Sequence, residues 1–536
     1  MKKPLTIEEQ KKKKLKKLQE KITDDVVNKA DLGSDLDRNL VYFKGVFENV
    51  SDLIIKEFKI GREVRKKAAL IYIGGTVDKK IINDNVLQEL MVISRDRSIE
   101  VEPTSNQFRD LIQNSLLSVG EVNTNNKFDK LIDKLLNGNG LLLFDGSDQA
   151  LTLGIQGGEK RSVTVPNTER VVRGPKEAFI ESFKVNMTLI RKRIKTPDLK
   201  FESFKIGRVS KTDVVIGYLQ GIVQDELIEE VKQRINRIDI DIISASGVVE
   251  QLIEDEPFSP FPQMNSTERP DAVAGALNEG RVVVIIDGSP YTLLLPAVFT
   301  HFIQSSEDYY HRFLFPTAIR LLRLLGFVIA LLAPSIYIAL TTFHQEMIPT
   351  PLLINIAASR AGVPFPSLIE ALMMEISFEA LREAGLRLPK TVGQAVSIVG
   401  ALVVGEAAVQ AGLVSQAMVI VVALTGIASF MIPAYNLGLA VRLLRFGIMF
   451  LAGSLGMFGI TFAMLALLIH LSSLRSFGVP YLSPFAPLDL VGLKDAIFKA
   501  PEWFKNQRAN FLVKEDQQRI KKNAKPKPPQ EGEEDE

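Results

Sequence analysis

The sequence predicts a chain in two parts. An α/β (or α+β) cytoplasmic N-terminal region of two subdomains is followed by an all-α, multi-span membrane domain. Three observations carry this expectation. With 24% of the 536 residues charged, an even spread would put about 19 charges in residues 394–474. That stretch holds only Glu406, Arg442 and Arg445. Helix-like and strand-like patterns alternate between residues 35 and 288. Each half of that alternation ends in an apolar hairpin around Asp-Gly-Ser, at Asp145-Gly146-Ser147 and Asp287-Gly288-Ser289.

Residues 1–34 form a basic, low-complexity arm. Its first 21 residues carry nine Lys and no apolar core, the opposite of a signal peptide, so the domain that follows is expected in the cytoplasm. The composition reads as a solvated or disordered arm, with membrane-surface or RNA binding as the alternative. No aromatic interleaves the lysines, which argues against nucleic acid.

Residues 35–155 read as the first subdomain. LDRNLVYFKGVFENVSDLIIKEF has a helical pattern, and KKAALIYIGGTV is a strand running into a turn. QFRDLIQNSLL and KFDKLIDKLLNG are helical, the second closed by Gly138, and GLLLFDGSDQALTLGI is a hairpin. Residues 156–288 repeat the theme. KEAFIESFKVNMTLIRKRI is a helix, TDVVIGYLQG a strand, DELIEEVKQRINRI a helix with carboxylates in its first turn, and RVVVIIDGSPYTLLL a hairpin.

The membrane domain is expected over 289–480. A span needs about 20 mostly apolar residues. Four stretches qualify: 321–341 with Pro334 inside it, 394–413 despite Glu406, 416–434, and 446–471. Residues 289–304 are short and broken by Pro290 and Pro296. They read as an interfacial segment, a poor span or a buried helix of the soluble part. An amphipathic helix is expected near 351–385, with Glu370, Glu375, Glu379 and Glu383 between apolar positions. It would lie along the membrane interface or cover a pore mouth. Four spans return the tail, 481–536, to the cytoplasm, where its lysines from Lys494 to Lys527 fit the positive-inside rule. Arg442 and Arg445 then fall on the outer side, which the rule disfavours. Five spans would correct those two and misplace the tail, so four are preferred.

Enzyme chemistry is not expected. The chain has no cysteine, which excludes a disulfide scaffold, a thiolate metal site and a thiol nucleophile. Its four histidines, His301, His311, His344 and His470, have no metal-ligand spacing, so neither a metal nor a cofactor is expected. Ile73-Gly74-Gly75-Thr76 lacks the Lys-Ser/Thr end of a phosphate loop. Two polar clusters stand out. Val165-Pro166-Asn167-Thr168-Glu169-Arg170 leads to Arg173, Gly174, Pro175, Lys176 and Glu177. Phe261-Pro262-Gln263 leads to Thr267, Glu268, Arg269, Pro270 and Asp271. Proline fixes the backbone and arginine offers a planar fork to a carboxylate or carbonyl. Such clusters read either as a salt-bridged loop that holds a subdomain or as a contact between subunits.

These clusters also carry a family resemblance. ER-VVRGPKEAFIESFKVNMTLIRKRI, IGRVSKTDVVIGYLQGI, FPQMNSTERPDAVAGALNEGRVVVIIDGSPYTLLLP and SSEDYYHRF follow one another over residues 40–490. With RGP-x-E and TERPD at this spacing, the chain resembles the A subunits of bacterial spore germinant receptors, the GerA family. Val165 stands where that family usually has Glu before the proline. The resemblance implies a protein of the spore inner membrane that acts with a transporter-like B subunit and a lipoprotein C subunit. It implies a complex that senses nutrients and starts ion release, in which the A-type subunit self-associates and forms the conduit for monovalent cations. A related class, associated with the spoVA system, would amplify the signal instead.

The residues locate an ion path independently. An ionisable group inside a span is a functional candidate by default. Val399, Val403, Glu406 and Gln410 share one helical face. Several copies around an axis would stack an acidic ring on apolar rings, which favours cations and gates by dewetting. The competing reading pairs Glu406 with Arg442 or Arg445 inside one subunit, or leaves it protonated. A secondary transporter would show inverted repeats, which are not visible. A non-conducting membrane scaffold or signal relay is the remaining alternative.

Overall fold

The computed structural model describes residues 31–60, 66–93, 113, 119, 121–157, 166, 168–388, 405–509, 511–513 and 518–520. Helix α1 (Leu36–Val46) is capped by Asp35, whose carboxylate accepts from the Asp37 and Arg38 amides. Strands β1 (Leu53–Ile60) and β2 (Lys66–Ile73) follow, then helical residues 79–93, β3 (Val122–Asn125), α2 (Phe128–Leu136), β4 (Gly140–Phe144) and β5 (Ala150–Leu153). The five strands form an antiparallel sheet in the order β1-β2-β4-β5-β3. Side chains alternate across it. Ala68, Leu70 and Tyr72 meet Ile82 and Val86 on one face. Ala69, Ile71 and Ile73 meet Leu40 and Phe43 of α1 and Leu131 and Leu135 of α2 on the other. Residues 53–60, inside the first stretch expected to be helical, are a strand. After α1 the chain turns through Asn49 at φ 60°, and Leu53–Ile60 then pair along the whole of β2.

The second unit repeats the plan. It contains α3 (Phe183–Arg193), β6 (Leu199–Ile206), β7 (Thr212–Leu219), α4 (Asp225–Asn236), α5 (Ser246–Ile253), β8 (Asn265–Thr267), α6 (Pro270–Asn278), β9 (Val282–Ile286) and β10 (Thr292–Leu295). Its antiparallel sheet runs β6-β7-β9-β10-β8, the same order as the first. Small devices repeat as well. Asn39 exchanges two hydrogen bonds with the Gly33 backbone (2.6 and 3.1 Å), as Asn186 does with Ile180 (2.6 and 2.9 Å). The Gly146 amide donates to Ser34 (2.7 Å), and the Gly288 amide to Glu181 (2.8 Å). With only antiparallel strands, the region is α+β.

The two sheets are fastened together. Arg191 of α3 is fully buried and forks onto Asp52 through Nε (2.7 Å) and Nη2 (2.9 Å). Lys200 Nζ reaches the Val46 carbonyl at 3.0 Å, and the Ser51 amide donates to Phe201 at 3.0 Å. This bidentate geometry holds orientation as well as distance.

Residues 289–304 are no membrane segment. They hold β10 and a short 3-10 turn, Phe299–Phe302, because Leu293–Leu295 are wanted by the core of the second sheet. The helical domain starts with α7 (Leu314–Thr342), 29 residues with Pro334 inside. Then come α8 (Thr350–Arg360), α9 (Ser367–Arg387), helical residues 405–410, α10 (Gln416–Phe430), α11 (Tyr435–Leu455) and α12 (Met457–Ser473). By length and composition, α7 and α11 are long and apolar enough to cross a membrane, with α10 and α12 shorter and apolar. The stretch 446–471, expected as one helix, is broken at Gly456. Its φ of 61° and ψ of −140° lie where side chains are not tolerated, and α12 turns back along α11. The helix expected near 351–385 is also two helices, since Pro364 and Pro366 precede α9.

Ends fix directions. Gly456 lies beside Phe343 and His344, just past the end of α7. His470, near the end of α12, is 2.9 Å from Ser259, next to the second sheet. Ser367 at the start of α9 is 2.9 Å from Thr341 near the end of α7. Arg382, near the end of α9, is 2.6 Å from Ser429 near the end of α10. Hence α9 runs back alongside α7 rather than lying across its end. The C-terminal segment packs on the second sheet: Val513 bridges Val223, Arg508 Nε donates to Asn278 (2.8 Å) and Tyr481 donates to Pro262 (2.9 Å).

Candidate functional site

The two polar clusters meet in one knot at the base of the second sheet. Thr267 ends β8, and Pro270 opens α6 at its first turn, where its missing N–H costs nothing. Between them the Glu268 carboxylate accepts from the Thr168 amide (2.6 Å), the Thr168 hydroxyl (2.8 Å) and the Glu169 amide (3.1 Å). Glu169 answers by accepting from the Thr267 hydroxyl (2.6 Å) and the Glu268 amide (3.1 Å). Desolvation raises the Glu169 pKa above the usual carboxylate range. Arg269, 1% exposed, ties three strands of chain: Nη1 to the Glu169 carbonyl (3.1 Å), Nη2 to the Pro175 carbonyl (3.0 Å) and to Asp271 (2.7 Å). Glu177 pairs with Arg193 on the surface at 2.7 Å.

The knot continues into the linker that leads to α7. Tyr310 donates its hydroxyl to Asp271. Desolvation and that bond push its pKa up to about 12, so it stays a donor. The Tyr310 ring covers Gly174, where φ is 127° and a Cβ would sit 2.6 Å from the ring. Only glycine fits both the backbone and the space. Glu307 accepts from the Val172 amide (3.1 Å) and the Arg173 amide (3.2 Å). Asp308, 3% exposed, then accepts from Arg320 Nε and Arg323 Nη1 of α7, both at 2.9 Å. Arg320 also reaches Asp495 of the C-terminal segment at 3.1 Å. A continuous polar chain therefore runs from the second sheet to the first turns of α7.

Arg269→Ala is expected to free residues 166–177 from the sheet and leave the buried Asp271 carboxylate without its countercharge, held only by the Tyr310 hydroxyl. The cost is about 3–5 kcal/mol. Limited proteolysis of the full chain should cut near residue 170 at least tenfold faster, and Arg269→Lys should not rescue, since a point charge cannot bridge two carbonyls and a carboxylate. Unchanged cleavage would dismiss the knot as a structural tie.

A second polar set lies inside the helical domain. Every acid of α9 is matched to an arginine. Glu370, fully buried, takes Arg360 (3.1 Å) and the Ser415 hydroxyl (2.9 Å). Glu375 takes Arg445 at 2.6 Å with both side chains 3% exposed. Glu379 takes Arg442 and, at 3.7 Å, Arg382, and Glu383 takes Arg387 at 2.6 Å.

This corrects one pairing expected from sequence: neither Arg442 nor Arg445 reaches Glu406. Glu406 is exposed and, among the described residues, accepts only from Gln410 one turn on, at 3.1 Å. Val399 and Val403 lie outside the described residues, as does Val165. Glu169, Gly174, Pro175, Glu268, Arg269, Pro270 and Asp271 come together in the knot. Arg173 joins through its backbone, and Glu177 lies at the edge. Sequence reasoning missed Tyr310, Glu307, Asp308, Arg320 and Asp495. The run SSEDYYHRF contains the first three, but the partners of Glu307 sit 134 and 135 residues away.

Residues 41–511 match the family model described as Bacillus/Clostridium GerA spore germination protein. The chain is 48% identical to spore germination protein KA of Bacillus subtilis (strain 168), over 93% of this chain and 90% of that one. It is 44% identical to the uncharacterized membrane protein YfkQ of the same organism, over 92% and 95%. It is 37% identical to spore germination protein GerLA of Bacillus cereus, over 87% and 93%. A solved structure, the N-terminal domain of the A subunit of the Bacillus megaterium spore germinant receptor GerK3, is 38% identical. It covers 50% of this chain and 97% of that one with a TM-score of 0.40.

Proposed function

The chain belongs to the GerA family of spore germination proteins, and we propose that copies of it assemble around the helix bearing Glu406 to form an ion conduit. It is a membrane protein and a germinant-receptor A subunit, not an enzyme. The reading goes further: the membrane is the spore inner membrane, the partners are a transporter-like B subunit and a lipoprotein C subunit, and the ions are monovalent cations.

One observation carries the conduit. The acids of α9 all face arginines, whereas Glu406 and Gln410 are exposed together and, among the described residues, no cation pairs with Glu406. An acid at such a place in a membrane is stabilised by water or by a like face of another subunit around a wet axis. Helix α8 supports association too, since none of its residues is buried within the chain. The polar chain from the knot to α7 is the route by which a change in the cytoplasmic domain would reach the bundle.

The test is flux from liposomes holding the purified protein. Val403→Ala should raise the leak by widening an apolar ring, and Glu406→Gln should lower the preference for cations over anions. No flux from any of these proteins, shown to be folded and oligomeric, would move the conduit to a partner and leave this chain as scaffold or relay.

A further inference from the structure

A cavity of about 70 Å³ lies where the end of α6, the 300–309 linker and the C-terminal segment meet. Its lining holds five Lys or Arg side chains against two carboxylates, Glu279 and Asp495. Both carboxylates are engaged: Glu279 by Arg281 at 2.7 Å, Asp495 by Lys505 at 2.6 Å and by Arg320 at 3.1 Å. Among the described residues, the lining therefore carries more cations than carboxylates.

Its hydrogen bonds are also out of balance, and always in one direction. His301 Nδ1 is 3.1 Å from the Val298 amide, and its Nε2 is 2.6 Å from Arg281 Nη2. Both neighbours are donors. A neutral imidazole has one acceptor nitrogen, so whichever tautomer forms, one N–H faces another N–H. Desolvation and the Arg281 guanidinium hold His301 well below its usual pKa and hence neutral. Arg281 is itself only 7% exposed, yet its Nε is buried without a partner among the described residues. Buried donors left unmatched are costly, and such sites are normally completed by an acceptor.

We propose that this cavity binds a small oxyanion, a phosphate or carboxylate group, held by Arg281 from the second-sheet side and by Lys494 and its basic neighbours from the C-terminal side. The volume suits a group of a few heavy atoms. The anion supplies the missing acceptors and joins the sheet domain to the segment that clamps Arg320 of α7. Its source is either a free anion or the phosphate of a lipid headgroup, since α7 enters the helical domain beside the cavity.

The single tryptophan, Trp503, is two residues from Lys505 of the lining and reports occupancy by fluorescence. The full chain is placed in phosphatidylcholine nanodiscs and titrated with inorganic phosphate at constant ionic strength. Saturable binding is expected, weakened at least about tenfold in Arg281→Gln and in Lys494→Gln, the loss of one charge-assisted contact. Lys494 is exposed, so the second variant keeps the test valid if the first folds poorly. If the headgroup is the source, phosphatidylglycerol nanodiscs alone shift the fluorescence and raise the unfolding temperature, and Lys494→Gln removes both effects. Neither ligand binding to folded wild type, or binding unchanged in both variants, overturns the site.

Discussion

Arg445→Ala is expected to cost the helical domain about 3–5 kcal/mol, because it strips the buried Glu375 carboxylate of its paired cation. Both side chains of the pair are 3% exposed, 2.6 Å apart, and join α9 to α11. The penalty comes from the charge left behind rather than from the attraction lost. A double variant, Glu375→Leu with Arg445→Met, should therefore recover most of the stability, since both desolvated charges go together. Arg442→Ala should cost less. Its partner Glu379 is 39% exposed and keeps Arg382 at 3.7 Å. Thermal unfolding of the full chain in detergent measures all three. A double variant as unstable as Arg445→Ala would show that the pair holds α9 by shape and not by charge.

A cysteine at Glu346 is expected to react with a membrane-impermeant maleimide from the outer side, and one at Arg387 only from the cytoplasmic side. The chain has no cysteine of its own, so single substitutions label without background, and both positions are exposed. The sequence alone gave 342–393 as one outer segment, in which both positions label from outside. The direction of α9 argues otherwise, since it starts beside Thr341 and ends near Ser429. A crossing by α9, together with the span expected from sequence at 394–413, keeps the number of crossings even. An even number is what the contacts of the C-terminal segment with the second sheet require. Labelling of Arg387→Cys from outside would overturn the crossing by α9.

The cost of the charges on α9 explains why the sequence read it as a surface helix. Four glutamates in about four turns look solvated when their partners are unknown. The arginines that neutralise two of them, Glu375 and Glu379, stand on α11, more than 60 residues later, and no local pattern links the two helices. The same holds for the junction. Arg269 and Glu169 stood out as residue types, but what each grips did not, because these partners lie 94 to 100 residues away.

Local chemistry was legible where neighbours in sequence decide the outcome. Both Asp-Gly-Ser hairpins form where expected, since glycine permits φ of 84° and 82° at their turns. Strand β2 and helices α2, α3 and α4 follow from their apolar periods. The apolar runs at 321–341 and 416–434 are helical through most of their length. Strands β3, β6 and β8 were not legible. Edge strands are half exposed, and their residues carry no continuous apolar signal. The sequence by itself determined the two-part plan and the family, both of which rest on composition, motif and local periodicity. Only the tertiary structure decided the twin sheet order, the knot that leads to α7, the burial of α9 and the outward face of Glu406. Each of these depends on contacts between residues far apart in the chain, whose energies no window of sequence contains.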